Sequence, residues 1–422
     1  MSEKPKRMWS RRQFLAWGTG GVLTLFLRAC GIRPQRPTPS PTPTATSTPT
    51  SSPTATPEDH QAYLPHLAAD GEHPPSPIAS PSPSPTHTPT ATPTDTPTPE
   101  PAAPTPTPFP PGAPSKLGVF VAYNHPQLFD LLRTGNVALV KTLEVDPAFL
   151  AAIKGTAPRT LVVARLAPLE DVDWMKVNPT QLARNFVQRL LPLATDPRRQ
   201  PYIDAWEAYN EPVAEQPESM KRLADFEAER TYLLAQHGIR SCVGNFSTGH
   251  PKLELWPHFY PALHAVQEHG GFLGLHEYSA PYMWFGTGPY QLRPGQDEGD
   301  EGWLTLRYRK VYRHYLKPAN LAVPLLITET GIDGAVQPRP GPKGDGWKDF
   351  IAFWRQEGRI TTTPEGFYME QLVWYDTELQ KDPYVLGAAI YALVVFGQPS
   401  FEIVGPCAAL LRQYLAVHPP HG

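Results

Sequence analysis

Two glutamates, each closing an apolar run, are the residues of this chain best placed to do chemistry. Glu211 ends the run Trp206-Glu207-Ala208-Tyr209-Asn210-Glu211 and is followed by Pro212, and Glu329 ends Leu325-Leu326-Ile327-Thr328-Glu329 before Thr330-Gly331. A pair of carboxyls, one protonated and one ionised, is what cleavage of a glycosidic bond with retention needs. The first protonates the leaving oxygen and the second attacks the anomeric carbon, with about 5 to 5.5 Å between the groups. A negative charge on Glu329 would also help Glu211 to keep its proton at working pH. Taken singly, each residue is more simply a loop start, so the reading depends on the two meeting.

They meet if their strands are parallel members of one barrel, because the carboxyl ends then open on one mouth. The chain offers eight strand-like runs: Leu117 to Tyr123, Val137 to Thr142, Thr160 to Leu166, Tyr202 to Tyr209, Ser241 to Phe246, Phe272 to Tyr278, Leu325 to Glu329 and Leu386 to Val395. Helical stretches separate them, the pattern of parallel βα units. Asn178-Pro179-Thr180 reads as a helix start leading into Gln181 to Ala194, and Met220 to His237 stops at Gly238. Leu304 to Leu316, Gly366 to Gln380 and Cys407 to Val417 read as further helices. The expected fold is therefore an α/β chain closing into a (β/α)₈ TIM barrel from residue 116 to 422. An open doubly wound sheet is the alternative, but no glycine-rich dinucleotide turn follows the first strand.

Other residues gather around the pair in this scheme. Asn210 is placed to hydrogen-bond a sugar 2-hydroxyl. Tyr278 is placed to donate to Glu329, and His276 either lines the substrate site or fills the core. Arg165, ending strand three, orients Glu329 or pairs with a loop acid, and Lys141 on strand two is a weaker candidate for the same duty. Glu207 lies deeper than Glu211 and reads as structural. The longest connections, Pro281 to Gly302 and Gly331 to Asp349, carry Tyr282, Trp284, Phe285, Trp303 and Trp347, which could wall a groove. For Trp284, stacking on a sugar and plain loop packing are both open.

Trp206-Glu207-x-x-Asn210-Glu211-Pro212 resembles the strand-four signature of the clan of retaining glycoside hydrolases with (β/α)₈ barrels. His276-Glu277-Tyr278 is similar to the His-x-Tyr of family 5, and the longer tryptophan-bearing form also resembles family 39. The resemblance implies that Glu211 is the acid/base and that Glu329, ending strand seven, holds the nucleophile position. At strand eight the chain departs from the pattern: Val394-Val395-Phe396-Gly397-Gln398 stands where many members keep a tryptophan, so either Phe396 substitutes or the subsite is built differently.

Of the 54 prolines in 422 residues, 26 fall between Arg33 and Ser115. With so little to bury, residues 31 to 115 are expected to be an extended Pro/Thr/Ser-rich linker. Residues 1 to 30 read as an export signal: Ser10-Arg11-Arg12-Gln13-Phe14-Leu15 resembles the twin-arginine motif, and the apolar run from Ala16 to Leu27 is too short for a mature span. Cys30, after Leu27-Arg28-Ala29, resembles a lipobox cysteine, although Arg28 departs from that pattern. Lipidation there would anchor the protein to a membrane, and otherwise it is released; the expected location is extracellular or at the cell surface. Three cysteines make no disulfide framework. A net charge of −3 with no basic tract in the barrel part argues against nucleic acid. No zinc-protease helix, nucleophile elbow or phosphate loop is present. Asp297-Glu298-Gly299-Asp300-Glu301 suits calcium on paper but reads as a solvated run. The expectation is a monomeric, cofactor-free glycosidase without a metal, acting on an oligosaccharide or polysaccharide. The competing reading is a non-catalytic carbohydrate-binding or adhesion module on the same barrel.

Overall fold

The computed structural model describes residues 109–166, 171–288, 290 and 299–419. The export signal, Cys30 and the proline-rich stretch through residue 108 lie outside the described residues. No helix among the described residues is long and apolar enough to cross a membrane.

Eight strands close into a barrel in sequence order: β1 (Leu117–Val121), β2 (Leu139–Thr142), β3 (Leu161–Ala164), β4 (Ala205–Trp206), β5 (Ser241–Phe246), β6 (Gly271–Ser279), β7 (Leu325–Ile332) and β8 (Val385–Val394). Every neighbouring pair is parallel, including β8 with β1. The fold is thus the (β/α)₈ barrel, with the expected strands in place. β4 is the shortest because the chain leaves the ladder early: Glu207 still donates its N–H to Ala164, but Glu211 adopts φ +47° and turns its N–H to the carbonyl of Asn245 at 3.0 Å.

The helices are α1 (Pro126–Leu132), α2 (Pro147–Thr156), α3 (Pro179–Ala194), α4 (Pro217–Ala235), α5 (Tyr260–His269), α6 (Arg307–Val311), α7 (Ile351–Gln356), α8 (Pro364–Leu379) and α9 (Pro406–Ala416). α3 starts where the sequence signals it, with the Asn178 side chain accepting from Gln181 N at 3.0 Å and proline in the first turn. The run expected as one helix from Leu304 to Leu316 is shorter and mixed: α6 passes into a π-helical turn over Tyr312–Leu316. Arg230 of α4, wholly buried, donates to the carbonyls of Trp206 and Cys242, both at 3.0 Å, and so fixes the ends of β4 and β5. Its partner Glu227 lies at 2.6 Å, and burial pushes that carboxyl up against the pull of Arg230.

Strand alternation sorts the barrel interior into layers. The floor is apolar: Leu139, Val163, Ala205, Cys242, Phe272, Leu326 and Ala389 form one buried cluster. Two residues further along β2, β3 and β4 the same inward positions hold Lys141, Arg165 and Glu207. Cys242 and Cys407 are both buried free thiols. At the floor end the chain packs on α9 from Phe109 onward, ahead of the expected boundary at residue 116. The Phe109 ring meets Tyr414 edge-on at 5.4 Å, Gly112 N donates to Val417 O at 3.1 Å, and Ser115 N to His418 O at 3.2 Å.

Candidate active site

At the carboxyl ends of the strands the two glutamates come together. An oxygen of Glu211, an oxygen of Glu329 and a ring nitrogen of His276 all lie within 4.8 Å of one another. Both carboxyls are buried, Glu211 at 6 % exposure and Glu329 at 1 %. The positive φ of Glu211 is the local device that turns its side chain toward the barrel axis, since the sparsely populated left-handed region has to be held by contacts such as the bond to Asn245. Glu329 reaches the same level because β7 is irregular against its neighbours: the register with β6 shifts between Leu275 and His276, which sets His276 directly across from Glu329.

Each carboxyl has its own set of partners. Tyr278 donates its hydroxyl to Glu329 Oε2 at 2.7 Å, as the sequence suggests, and Lys141 Nζ lies 3.0 Å from Glu329 Oε1. His276 Nδ1 is 2.9 Å from Glu211 Oε1 and 3.5 Å from Glu329 Oε2, so this histidine stands between the two acids. Its ring is buried and partnered on both nitrogens, at the level of the two acids. Lys141 Nζ also lies 2.9 Å from Glu207 Oε2 and 3.4 Å from His276 Nε2. Glu207 is wholly buried, and among the described residues Lys141 is its one polar partner.

The expected order of the two basic residues is reversed. Lys141, the weaker candidate, holds Glu329, whereas Arg165 donates to Asn210 Oδ1. The reason lies in reach and competition: Asn210, one residue before Glu211, intercepts the guanidinium, while the flexible lysine stem crosses the barrel axis. An arginine only donates, so Asn210 must present its oxygen to it and keeps its amide N–H groups for another partner.

Trp284 lies in a packing seam. Its ring neighbours are Tyr282 (5.5 Å, stacked), Tyr290, Phe367 and Trp374, the last two on α8. Trp347 is buried against Tyr368 at 4.9 Å, and Trp303 lies under the Lys310 ammonium at 4.6 Å. The described parts of the long loops thus fold back on the outer helices, where Trp284 and Trp347 pack against side chains of α8. Phe396 is 66 % exposed and its ring lies tilted against Tyr123 at 4.7 Å. The aromatic of β8 that sits inside the mouth is Tyr391, packed against Phe120 and Tyr278 and donating to Gln398 Oε1 at 2.9 Å. Its signal was available: it shares strand parity with floor residue Ala389.

Among the described residues, Glu211, His276 and Glu329 are the group compact enough to grip a metal ion. Lys141 argues against that use, since its ammonium already supplies a cation in contact with two of the three. Of the acidic run expected to be solvated, Asp300 and Glu301 are described and are ion-paired: Arg313 lies 2.8 Å from each, and Lys310 is 3.3 Å from Glu301. A cavity of about 210 Å³ opens far from the acids, at the amino end of β4, where Asp204 and Arg240 pair with each other.

No family model and no curated protein matches the chain. Among solved structures, a β-glucuronidase from Ruminococcus gnavus is similar over 71 % of this chain and 50 % of its own length, with 13 % identity and a TM-score of 0.43. A GH2 β-galacturonidase from Eisenbergiella tayi gives 74 %, 52 %, 12 % and 0.43 for the same quantities. A GH128 (subgroup II) endo-β-1,3-glucanase from Sorangium cellulosum is covered over its whole length, with 73 % of this chain, 13 % identity and a TM-score of 0.39. The chain spans about half the length of the first two. At such scores the case for a function rests on the residues themselves.

Proposed function

We propose that this chain is an exported glycoside hydrolase that cleaves a β-linked oligosaccharide or polysaccharide by double displacement, with Glu211 as acid/base and Glu329 as nucleophile. The observation that carries the reading is the approach of their carboxyl oxygens to within 4.8 Å at one barrel mouth. That spacing favours direct attack by a carboxylate over the wider gap of about 6.5 to 9.5 Å that accommodates an attacking water. Lys141 and Tyr278 supply the donors that keep Glu329 ionised and aimed. Glu211, with the negative Glu329 beside it, keeps the proton that the leaving oxygen takes. The amide N–H groups of Asn210, which Arg165 cannot use, suit the 2-hydroxyl of the sugar, a contact that strengthens in the transition state. Proton transfer by a positioned acid accounts for about 10²- to 10⁴-fold of rate, and the covalent step and positioning supply the remainder.

Export through the twin-arginine-like signal and tethering through Cys30 belong to the same proposal, in which the barrel works as a monomer outside the cell or at its surface. The test uses activated aryl β-glycosides. Glu329→Ala and Glu211→Ala should each lose turnover and azide should restore part of it, while the first product of the wild-type enzyme seen by proton NMR should keep the β configuration. Wild-type rates in either variant, or a product of inverted configuration, overturns the mechanism. A wild-type protein that binds glycans without cleaving any of them returns the barrel to the binding-module reading.

A further inference from the structure

We propose that Lys141 is a positioning residue that locks His276 as the neutral Nδ1–H tautomer and thereby dictates which oxygen of Glu211 carries the acid proton. The inference rests on the reading of Glu211 as the acid, but its first observable does not depend on turnover.

The two ring nitrogens of His276 meet opposite chemistry. Nε2 lies 3.4 Å from the Lys141 ammonium, which has three donors and no acceptor, so Nε2 has to present its lone pair. Nδ1 lies 2.9 Å from Glu211 Oε1 and 3.5 Å from Glu329 Oε2, both acceptors, so Nδ1 has to carry the hydrogen. Each side alone selects the same tautomer. A second proton on Nε2 would set an N–H against an N–H between two cations in a closed barrel interior, where His276 and Lys141 are both buried. The groups facing the ring are Lys141 from β2, Glu211 from the end of β4 and Glu329 from β7; Tyr278 shares β6 with it and meets it only through Glu329.

The consequence falls on Glu211. Its Oε1 accepts from His276 Nδ1–H in either protonation state, so the transferable proton resides on Oε2. Lys141 is itself held by Glu207, which is why a wholly buried carboxylate below the reacting pair is retained at all. The unit Glu207–Lys141–His276 would act as one orienting chain beneath the acid.

The experiment is nitrogen NMR of the full chain with ¹⁵N-labelled histidine, the His276 resonance being assigned by its loss in His276→Gln. The expected spectrum shows Nδ1 protonated and Nε2 bare. Lys141→Met should let the ring take up a second proton and narrow the bell of kcat/KM. The alkaline limb should move to lower pH as a cationic ring stabilises ionised Glu211. Lys141→Arg should restore both spectrum and profile. Should Lys141→Met fail to fold, Lys141→Met/Glu207→Gln removes the charge together with its buried partner and serves in its place. A wild-type ring protonated at Nε2 overturns the inference whatever the activity, and so does a lysine variant that lowers the rate evenly at all pH values with the histidine signal unmoved. A protein without glycosidase activity but with the expected spectrum refutes the proposed function and leaves the tautomer lock standing.

Discussion

Glu329 and Glu277 are both buried glutamates on adjacent strands, each taking a tyrosine hydroxyl at close range, and they do different work. Glu329 faces into the barrel, where Tyr278 and Lys141 hold it beside a second acid. Glu277 faces outward from β6. It accepts from Leu306 N at 2.7 Å, Tyr308 N at 2.8 Å and the Tyr375 hydroxyl at 2.8 Å, clamping the start of α6 to the sheet. Burial pushes its carboxyl from an ordinary value near 4.5 up to about 7, against the pull of those donors. A buried, perturbed carboxyl is thus no mark of an active site by itself; what separates the two is whether a second acid shares the space.

Three measurements press on that difference. Glu277→Ala leaves two backbone N–H groups and a phenol without an acceptor in a dry seam, and at about 1 to 3 kcal/mol each it should cost roughly 4 kcal/mol of unfolding free energy. Its kcat per folded molecule should stay near wild type, and a tenfold fall in kcat with full stability would mean that the two glutamates are not separable. The second is pH. Because the native carboxyl of Glu277 binds its proton more tightly than the unfolded one, its contribution is fully present below about pH 4.5 and fades as pH rises through about 7. Urea unfolding should therefore report up to roughly 3 kcal/mol less stability from this group at pH 8 than at pH 4, and Glu277→Gln should flatten that slope. The third compares the two phenols. Tyr375→Phe should lower stability by about 2 kcal/mol and spare the rate, whereas Tyr278→Phe should cost a comparable amount in kcat/KM, roughly 30-fold, and spare stability. Equal effects of the two on stability would erase the distinction.

How far the sequence reveals this depends on which physical signal carries each feature. The strands are legible because a sheet buried on both faces writes long apolar runs, and the pairing of Glu211 with Glu329 follows from their shared place at strand ends. Glu277 stayed hidden because alternation merely sends it outward, and nothing local says that the start of α6 will arrive there. The exchange of roles between Lys141 and Arg165 was hidden too, since both are inward bases and only the way the strands tilt around the barrel decides which one meets β7. For β8, attention to the strand end favoured Phe396, while the residue inside the mouth is Tyr391, well within the strand.

The docking of Phe109 to Ser115 on α9 gives the molecule a mechanical polarity. The chain is secured at the amino ends of the strands, through the backbone pairs Gly112–Val417 and Ser115–His418, while the acids lie at the opposite ends. A pull applied upstream of Phe109 is first resisted by those bonds and by the Phe109–Tyr414 contact, at the apolar base. The spacing between Glu211 and Glu329 is thereby insulated from tension applied at that end of the barrel.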